Sequence, residues 1–166
     1  MSETEPGRGR AQLVSNQVLS FRLGDETYGV DILAVKEIRG WAPVTRIPQS
    51  SAHVLGVLNL RGAIVPIMDL RRLFALASAE FTPVTVVIVM SLATPTGQRE
   101  CGIVVDAVSD VVDIPPDAIR PAPVLNSQAG AHFISGLAQV DDQMLILLDA
   151  GVLLGRELVN LKDQAA

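Results

Sequence analysis

Apolar and polar residues alternate where the patterned part of the chain begins: Leu19, Phe21 and Leu23 enclose Ser20 and Arg22. A period of two marks a strand buried on one face. Gly24-Asp25-Glu26 is a turn signal and Thr27 to Val30 resumes the strand, so residues 17–30 predict a hairpin. Asp31 is placed to cap a short helical turn over Ile32, Leu33 and Ala34. Val35 to Arg39 predicts a strand with mixed faces, and Pro43 and Pro48 bracket a loop. Val54 to Leu60 and Ala63 to Met68 predict a second hairpin, turning at Gly62. Pro66 lies inside the return strand and demands an edge or a bulge there. Asp69 then reads as the N-cap of a short helix from Leu70 to Leu76.

The plan recurs in the second half. Val84 to Met90 is apolar on both faces, as suits a strand covered on both sides. A turn over Ala93 to Arg99 leads to strands at Gly102 to Val105 and Val108 to Val112. A proline-rich loop runs from Ile114 to Val124. Phe133 to Val140 and Met144 to Leu148 predict a last hairpin around Asp141-Asp142. Asp149 is placed to cap a closing helix with Leu154, Leu158 and Leu161 on one side. The recurrence is literal. The run from Gly29 to Ile38 lines up without a gap on Gly102 to Val111, and Gly56 to Asp69 lines up on Gly136 to Asp149. The chain therefore reads as two copies of one small fold, each with about five strands. Short strands joined by Gly and Pro turns point to a small barrel or sandwich, and the lack of long helical periods disfavours a doubly wound sheet.

Composition sharpens this picture. A chain of 166 residues fits one ordinary domain or two small subdomains sharing a core. With 49% apolar and 19% charged residues it has ample material for an interior, which excludes disorder over most of its length. Aromatics are only 4%, so the core must come from Val, Leu and Ile. A net charge of −5 argues against nucleic acid and against anionic membrane surfaces, both of which select for excess Lys and Arg. Stacking platforms for an oligonucleotide are missing too. The single cysteine, Cys101, can form neither an internal disulfide nor a cysteine-based metal site, and it is consistent with a reducing cytoplasm. No stretch reaches the ~18–20 apolar residues that span a bilayer. Residues 1–14 lack the apolar core of a secretory signal and are expected to form a mobile tail.

Candidate chemistry is sparse. A thiol enzyme would need Cys101 with His53 or His132, but a Cys in a strand before Gly102 reads as a small buried hydrophobe. Phosphate-loop, dinucleotide and hydrolase motifs are absent, as is metal-ligand spacing. Asp69 and Asp149 occupy equivalent places in the two copies and are read as helix caps rather than as an acid/base pair. Asp106, Asp110 and Asp113 are read as surface residues of a strand and its turn. A duplicated apolar framework without a duplicated catalytic cluster describes a module that binds. Positions where the copies differ are free to serve a partner. Val35 and Glu37, on one face of a strand, are a candidate recognition surface, although a solvated Glu beside a buried Val explains them equally well. Arg61, at a hairpin tip, is a candidate anchor for a carboxylate.

Two longer runs carry a resemblance. Leu23-Gly24-Asp25-Glu26-Thr27-Tyr28-Gly29-Val30-Asp31 followed by Val35-Lys36-Glu37-Ile38, and Gly56-Val57-Leu58-Asn59-Leu60-Arg61-Gly62 followed by Ile64-Val65-Pro66-Ile67-Met68-Asp69-Leu70-Arg71, resemble the CheW family of chemotaxis coupling proteins. Gly102 to Asp106 with Val108 to Val111, and Ile119 to Pro123, fit the same family. The resemblance spans residues 15–156, leaving 157–166 as a helix end and tail. It implies an all-β fold of two five-stranded SH3-like β-barrels, about 15–82 and 83–156, with exchange of strands between them left open. It implies no catalysis, no cofactor and no metal. The implied partners are the regulatory domain of the histidine kinase CheA, the cytoplasmic tip of methyl-accepting chemoreceptors and other CheW-like copies in arrays, with no nucleic acid and no direct membrane insertion. By motif match, receptor contact is expected at Val35, Glu37, Ile38, Gly56, Arg61, Val86 and Val87. The resemblance names no residue for the kinase, and it places the protein in the cytoplasm at the inner face of the membrane.

Overall fold

The two sheets are each assembled from both halves of the chain. The computed structural model describes residues 16–48, 54–74, 76, 80–94, 97–121 and 133–154. In chain order the strands are β1 (Gln17–Leu23), β2 (Glu26–Asp31), β3 (Val35–Gly40), β4 (Val54–Leu60), β5 (Ala63–Asp69), β6 (Val86–Thr94), β7 (Gly97–Val105), β8 (Ala107–Asp113), β9 (Ile119–Arg120), β10 (Ile134–Val140) and β11 (Gln143–Leu148). One four-residue helix, α1 (Leu70–Leu73), follows β5, and residues 150–154 are helical after β11. Tight 3-10 turns cover Ile32–Ala34 and Pro116–Ala118.

The first sheet runs β8-β1-β2-β11-β10-β9 and the second β3-β6-β7-β5-β4. The N-terminal hairpin β1–β2 thus joins strands of the second half, and the hairpin β6–β7 joins strands of the first. Neither 15–82 nor 83–156 forms a sheet alone. Each exchanged hairpin docks through a parallel pair, β2 on β11 and β7 on β5. The other pairings are antiparallel. The chain itself draws the edges of each sheet together. In the five-stranded sheet, Thr45, just past β3, bridges to Val57 of β4. In the six-stranded sheet, β8 and β9 stand at opposite ends yet are joined by the short link Ile114 to Ala118. The expected five-plus-five plan becomes six-plus-five because the proline-rich loop contributes β9, only two residues long.

The exchanged hairpins face each other across the largest core. Leu19, Phe21, Leu23, Tyr28 and Val30 from β1 and β2 meet Ile88, Met90, Cys101, Ile103 and Val105 from β6 and β7. Two smaller cores lie on the opposite faces: Val87, Val89, Val104, Val65 and Ile67 in one sheet, Val18, Ala138, Leu145 and Leu147 in the other. The dyad period of each strand sends alternate residues to the central and the peripheral core, which is why β6 is apolar throughout. The chain's six aromatic residues fall into two stacks. Phe21, Tyr28, Phe74 and Phe133 run through the central core with ring centroids 6.0, 5.7 and 6.4 Å apart. Trp41 lies on Phe81 at 4.2 Å.

Close approach at the parallel pairs explains the repeated glycines. Gly29 pairs with Leu147 and Gly102 with Ile67, equivalent positions in the two copies. A Cβ on Gly102 would lie 2.6 Å from Ile67 Cδ1 and 2.9 Å from Val87 Cγ1; on Gly29 it would lie 3.0 Å from Val18 Cγ2 and 3.3 Å from Leu147 Cδ2. Pro66 is tolerated because β5 pairs with β7 only from Ile67 onward, so at Pro66 the strand is still an edge on that side. Gly102→Ala is expected to lower unfolding stability by about 1–3 kcal/mol through overpacking. Gly40→Ala, where an added Cβ meets nothing within 4 Å, should stay within about 0.5 kcal/mol of the parent in chemical denaturation. Equal effects at the two sites would refute the packing account.

Candidate functional site: a recognition surface on the five-stranded sheet

β3 leaves the 3-10 turn capped by Asp31, whose Oδ1 accepts the Leu33 amide at 3.0 Å, and pairs with β6. The register shifts between Val35 and Glu37, which places Lys36 in a bulge. Beyond it Glu37 and Arg39 pair with Val89 and Val87, and Ile38 with Ile88. Cross-strand partners share a side. Glu37 and Arg39 therefore lie on the peripheral-core side of this sheet, while Val35, paired with Met90, and Ile38 lie on the other, so the bulge puts Val35 and Glu37 on opposite faces rather than on the one face expected. Lys36 ion-pairs with Glu100 of β7.

The β4–β5 hairpin brings the opposite charge to Glu37. Its two turn residues, Arg61 and Gly62, have φ of 53° and 90°. Two positive φ angles belong to the mirror-image turns that match strand twist. Asn59 Oδ1 accepts the Gly62 amide at 2.9 Å and holds the tip. Arg61 then grips Glu37 in a fork, Nη1 to Oε2 at 2.9 Å and Nη2 to Oε1 at 3.3 Å, while Arg39 Nη1 stands 3.6 Å from Oε1. Hydrogen bonds from Arg61 hold the Glu37 carboxyl below its ordinary value, helped by the charges of Arg61 and Arg39. The same bonds raise Arg61 above its own ordinary value. On the opposite face of β3 Ile38 is 45% exposed, and on β5 Ile64 is 63% exposed. Exposed apolar side chains on the same strands as an oriented ion pair give the sheet edge the mixed character of a reversible contact surface.

The other expected contact residues divide. Val35 and Val86 are half-buried. Val87 is fully buried in the peripheral core, so its side chain cannot meet a partner. Gly56 is buried as well. Its φ is 153°, and a Cβ there would fall 2.1 Å from the Thr45 carbonyl oxygen. Thr45 and Val57 exchange backbone hydrogen bonds of 3.0 and 2.8 Å across that spot. Gly56 therefore lets the segment after β3 cross β4, and Val87 supports β6 from beneath.

Cys101 is fully buried in the central core. His53 and His132 lie outside the described residues, as do the expected tail 1–14 and the expected end of the closing helix with Leu158 and Leu161. Among the described residues there is no group of three or more His, Cys, Asp or Glu able to hold a metal ion, and no helix long and apolar enough to cross a membrane. Asp69 and Asp149 cap their helices, accepting the Arg71 and Val152 amides at 3.0 Å. Asp110 and Asp113 are exposed. Asp106 departs from the surface reading. It lies at the single residue between β7 and β8, where the chain passes from one sheet to the other, and its Oδ1 accepts Arg71 Nη1 at 3.0 Å. Its Oδ2 accepts the Gly24 amide at 2.7 Å.

Arg71 was not singled out by the sequence. Its side chain is 1% exposed. Nε and Nη2 fork onto Asp69 at 2.9 and 3.0 Å, Nη1 also donates to the Glu80 carbonyl, and the guanidinium carbon lies 5.0 Å from the centre of Phe81. The one available signal was the repeat, which has Gly151 where the first copy has Arg71.

A β framework with its thiol sealed inside, and with an oriented ion pair and exposed apolar residues on its strands, belongs to the protein-binding modules. The comparisons agree on which one. Residues 17–158 match the model of the CheW-like domain. The chain is 45% identical over 155 residues to the chemotaxis protein CheW of Klebsiella aerogenes, covering 93% of this chain and 91% of the relative. It is 38% identical over 133 residues to the probable chemotaxis protein CheW of Rhizobium etli, covering 80% and 83%. The crystal structure of the scaffolding protein TtCheW from Thermoanaerobacter tengcongensis superimposes with a TM-score of 0.74 at 29% identity, over 82% of this chain and 90% of that one. The chain belongs to the CheW family, whose members are non-catalytic scaffolds.

Because its folded-state pKa is depressed, Glu37 stabilises the native state above the ordinary value of 4.5, and that contribution disappears as pH falls through the lowered pKa. A carboxyl-detected NMR titration should find Glu37 titrating below 4.5 in the parent and returning toward it in Arg61→Gln. An unchanged Glu37 titration in the variant would show that the fork does not persist in solution.

Proposed function

We propose that this chain couples methyl-accepting chemoreceptors to the histidine kinase CheA as a non-catalytic scaffold in chemotaxis signalling. The observation that carries this is the family match over 17–158 together with a 45% identical relative named chemotaxis protein CheW. It works in the cytoplasm, held at the inner face of the membrane through receptor arrays. Its partners are the receptor's cytoplasmic tip, the regulatory domain of CheA and other CheW-like copies.

Receptor contact falls on the exposed part of the surface described above: Val35, Glu37, Ile38, Arg61 and the outer side of Val86. Gly56 and Val87 act beneath it by fixing the shape of β4 and β6. A receptor tip made of antiparallel helices presents an apolar stripe with flanking charges. Ile38 and Ile64 suit the stripe and the Glu37–Arg61 fork suits the charges. Such a contact must be reversible, so a modest interface of mixed polarity serves it better than a large apolar one.

The test is retention of the protein by an immobilised receptor signalling fragment and, separately, by the kinase regulatory domain. Both should retain it, and binding to neither ends the reading. Glu37→Lys and Arg61→Glu are expected to weaken receptor binding by about tenfold or more with the circular dichroism spectrum unchanged. Loss of the spectrum in either variant would make that residue a structural one.

A further inference from the structure

The repeat relates two corners of this fold, and only one of them is filled by an arginine. The equivalence follows from strand register. Arg22 pairs with Thr27 as Ser91 pairs with Glu100, and Gly29 faces Leu147 as Gly102 faces Ile67. Carried along the chain, Asp149 stands for Asp69, Gly151 for Arg71, Leu33 for Asp106, Ser91 for Arg22 and Ala93 for Gly24. At the first corner the Arg71 guanidinium lies on Asp69 and reaches Asp106. At the second, the same five substitute positions line a cavity of about 480 Å³.

The chemistry of that cavity suits a guanidinium. Asp149 accepts the Val152 amide through Oδ1, and among the described residues no arginine or lysine pairs with it. Asp69 makes the same kind of helix-capping bond and still receives Arg71, so capping does not exhaust the carboxylate. Leu33, 62% exposed, and Leu92 supply an apolar bed for an arginine's methylene stem. Gly151 is exposed, so the cavity opens to the surface where Arg71's counterpart would enter.

We propose that this cavity receives an arginine side chain from a partner protein, its guanidinium resting on Asp149 as Arg71 rests on Asp69. A planar fork of five donors matches the Asp149 carboxylate and the hydroxyls of Ser91 and Ser135 better than a lysine's point charge does. That the partner is a component of the signalling complex rests on the scaffold reading; the preference of the cavity for arginine does not.

The experiment needs neither receptor nor kinase, so its failure leaves the scaffold reading standing. The full chain, labelled with nitrogen-15, is titrated with N-acetyl-arginine amide and with its neutral isostere N-acetyl-citrulline amide. Amide shifts are expected at Ser91, Asp149 and Gly151 with the arginine compound alone, and their loss in Asp149→Asn. In a second arm the cavity is filled from within. A Cβ on Gly151 would meet nothing within 4 Å except Asp149 Oδ1, at 3.3 Å, so a side chain there asks only that this carboxylate give slightly. Gly151→Arg should melt higher than Gly151→Gln, which controls for helix propensity. The difference should vanish in the Asp149→Asn background, and the arginine amide should no longer shift these resonances. No response, an equal response to citrulline, or a response that survives Asp149→Asn overturns the proposal. So does Gly151→Arg melting no higher than Gly151→Gln, or an NOE placing the chain's own Arg156, outside the described residues, on Asp149.

Discussion

The structure depends on two parallel strand pairs packed so closely that a side chain at the glycine of either would force its neighbours to shift. Gly29 lies against Leu147 and Val18; Gly102 lies against Ile67 and Val87. These contacts bind each exchanged hairpin to the opposite half of the chain. With the hairpins in place, Phe21, Tyr28 and Val30 confront Ile88, Met90 and Ile103, and the central core exists. Loosening either pair would cost more than local packing. It would split each sheet where strands from the two halves of the chain join, because each sheet is built from both halves.

The same arrangement leaves the outer walls free for recognition. The exchanged hairpins take up the central space, which moves β3 and β8 to the ends of the sheet orders. Exposed apolar residues appear at repeat-related positions on those walls, Ile38 with Val111 and Ile64 with Met144. The charges beside them differ. The first copy has Glu37 gripped by Arg61, and the second has Asp110 with Asp141-Asp142 at the corresponding positions. Asp141 and Asp142 keep the positive φ angles of Arg61 and Gly62, at 51° and 64°. Backbone shape is thus common to both copies while charge is not, and two unlike surfaces are what a protein joining unlike partners requires.

Most strands were legible because alternation and turn residues are local signals. The hairpin from 17 to 30, the cap at Asp31 and the helix start at Asp69 follow from neighbouring residues alone. Strand ends were harder. β6 and β7 run on to Thr94 and from Gly97, through polar residues that read as a turn. Hairpin exchange was not readable, since parallel docking is decided by residues far apart in sequence, such as Gly29 with Leu147 and Ile67 with Gly102. Arg71 was invisible for a related reason. A charged residue two places after a cap reads as surface, and its burial here also needs partners from farther along the chain, Asp106 and Phe81, beside the fork onto Asp69. In the recognition surface, Glu37 and Arg61 were each readable as candidates, but their pairing across strands was not. Gly56 was singled out by motif match, and the reason for a glycine there, the crossing of Thr45, exists only in three dimensions.

The central claim is that this chain works as a bridge, through its walls and without chemistry of its own. It is tested most directly by sedimenting receptor-bearing vesicles with the kinase regulatory domain, with and without the protein. The account predicts that the kinase domain travels with the vesicles only when the protein is present, in proportion to the amount bound. A kinase domain that sediments equally in its absence, or that stays in solution with the protein bound to the vesicles, would contradict it.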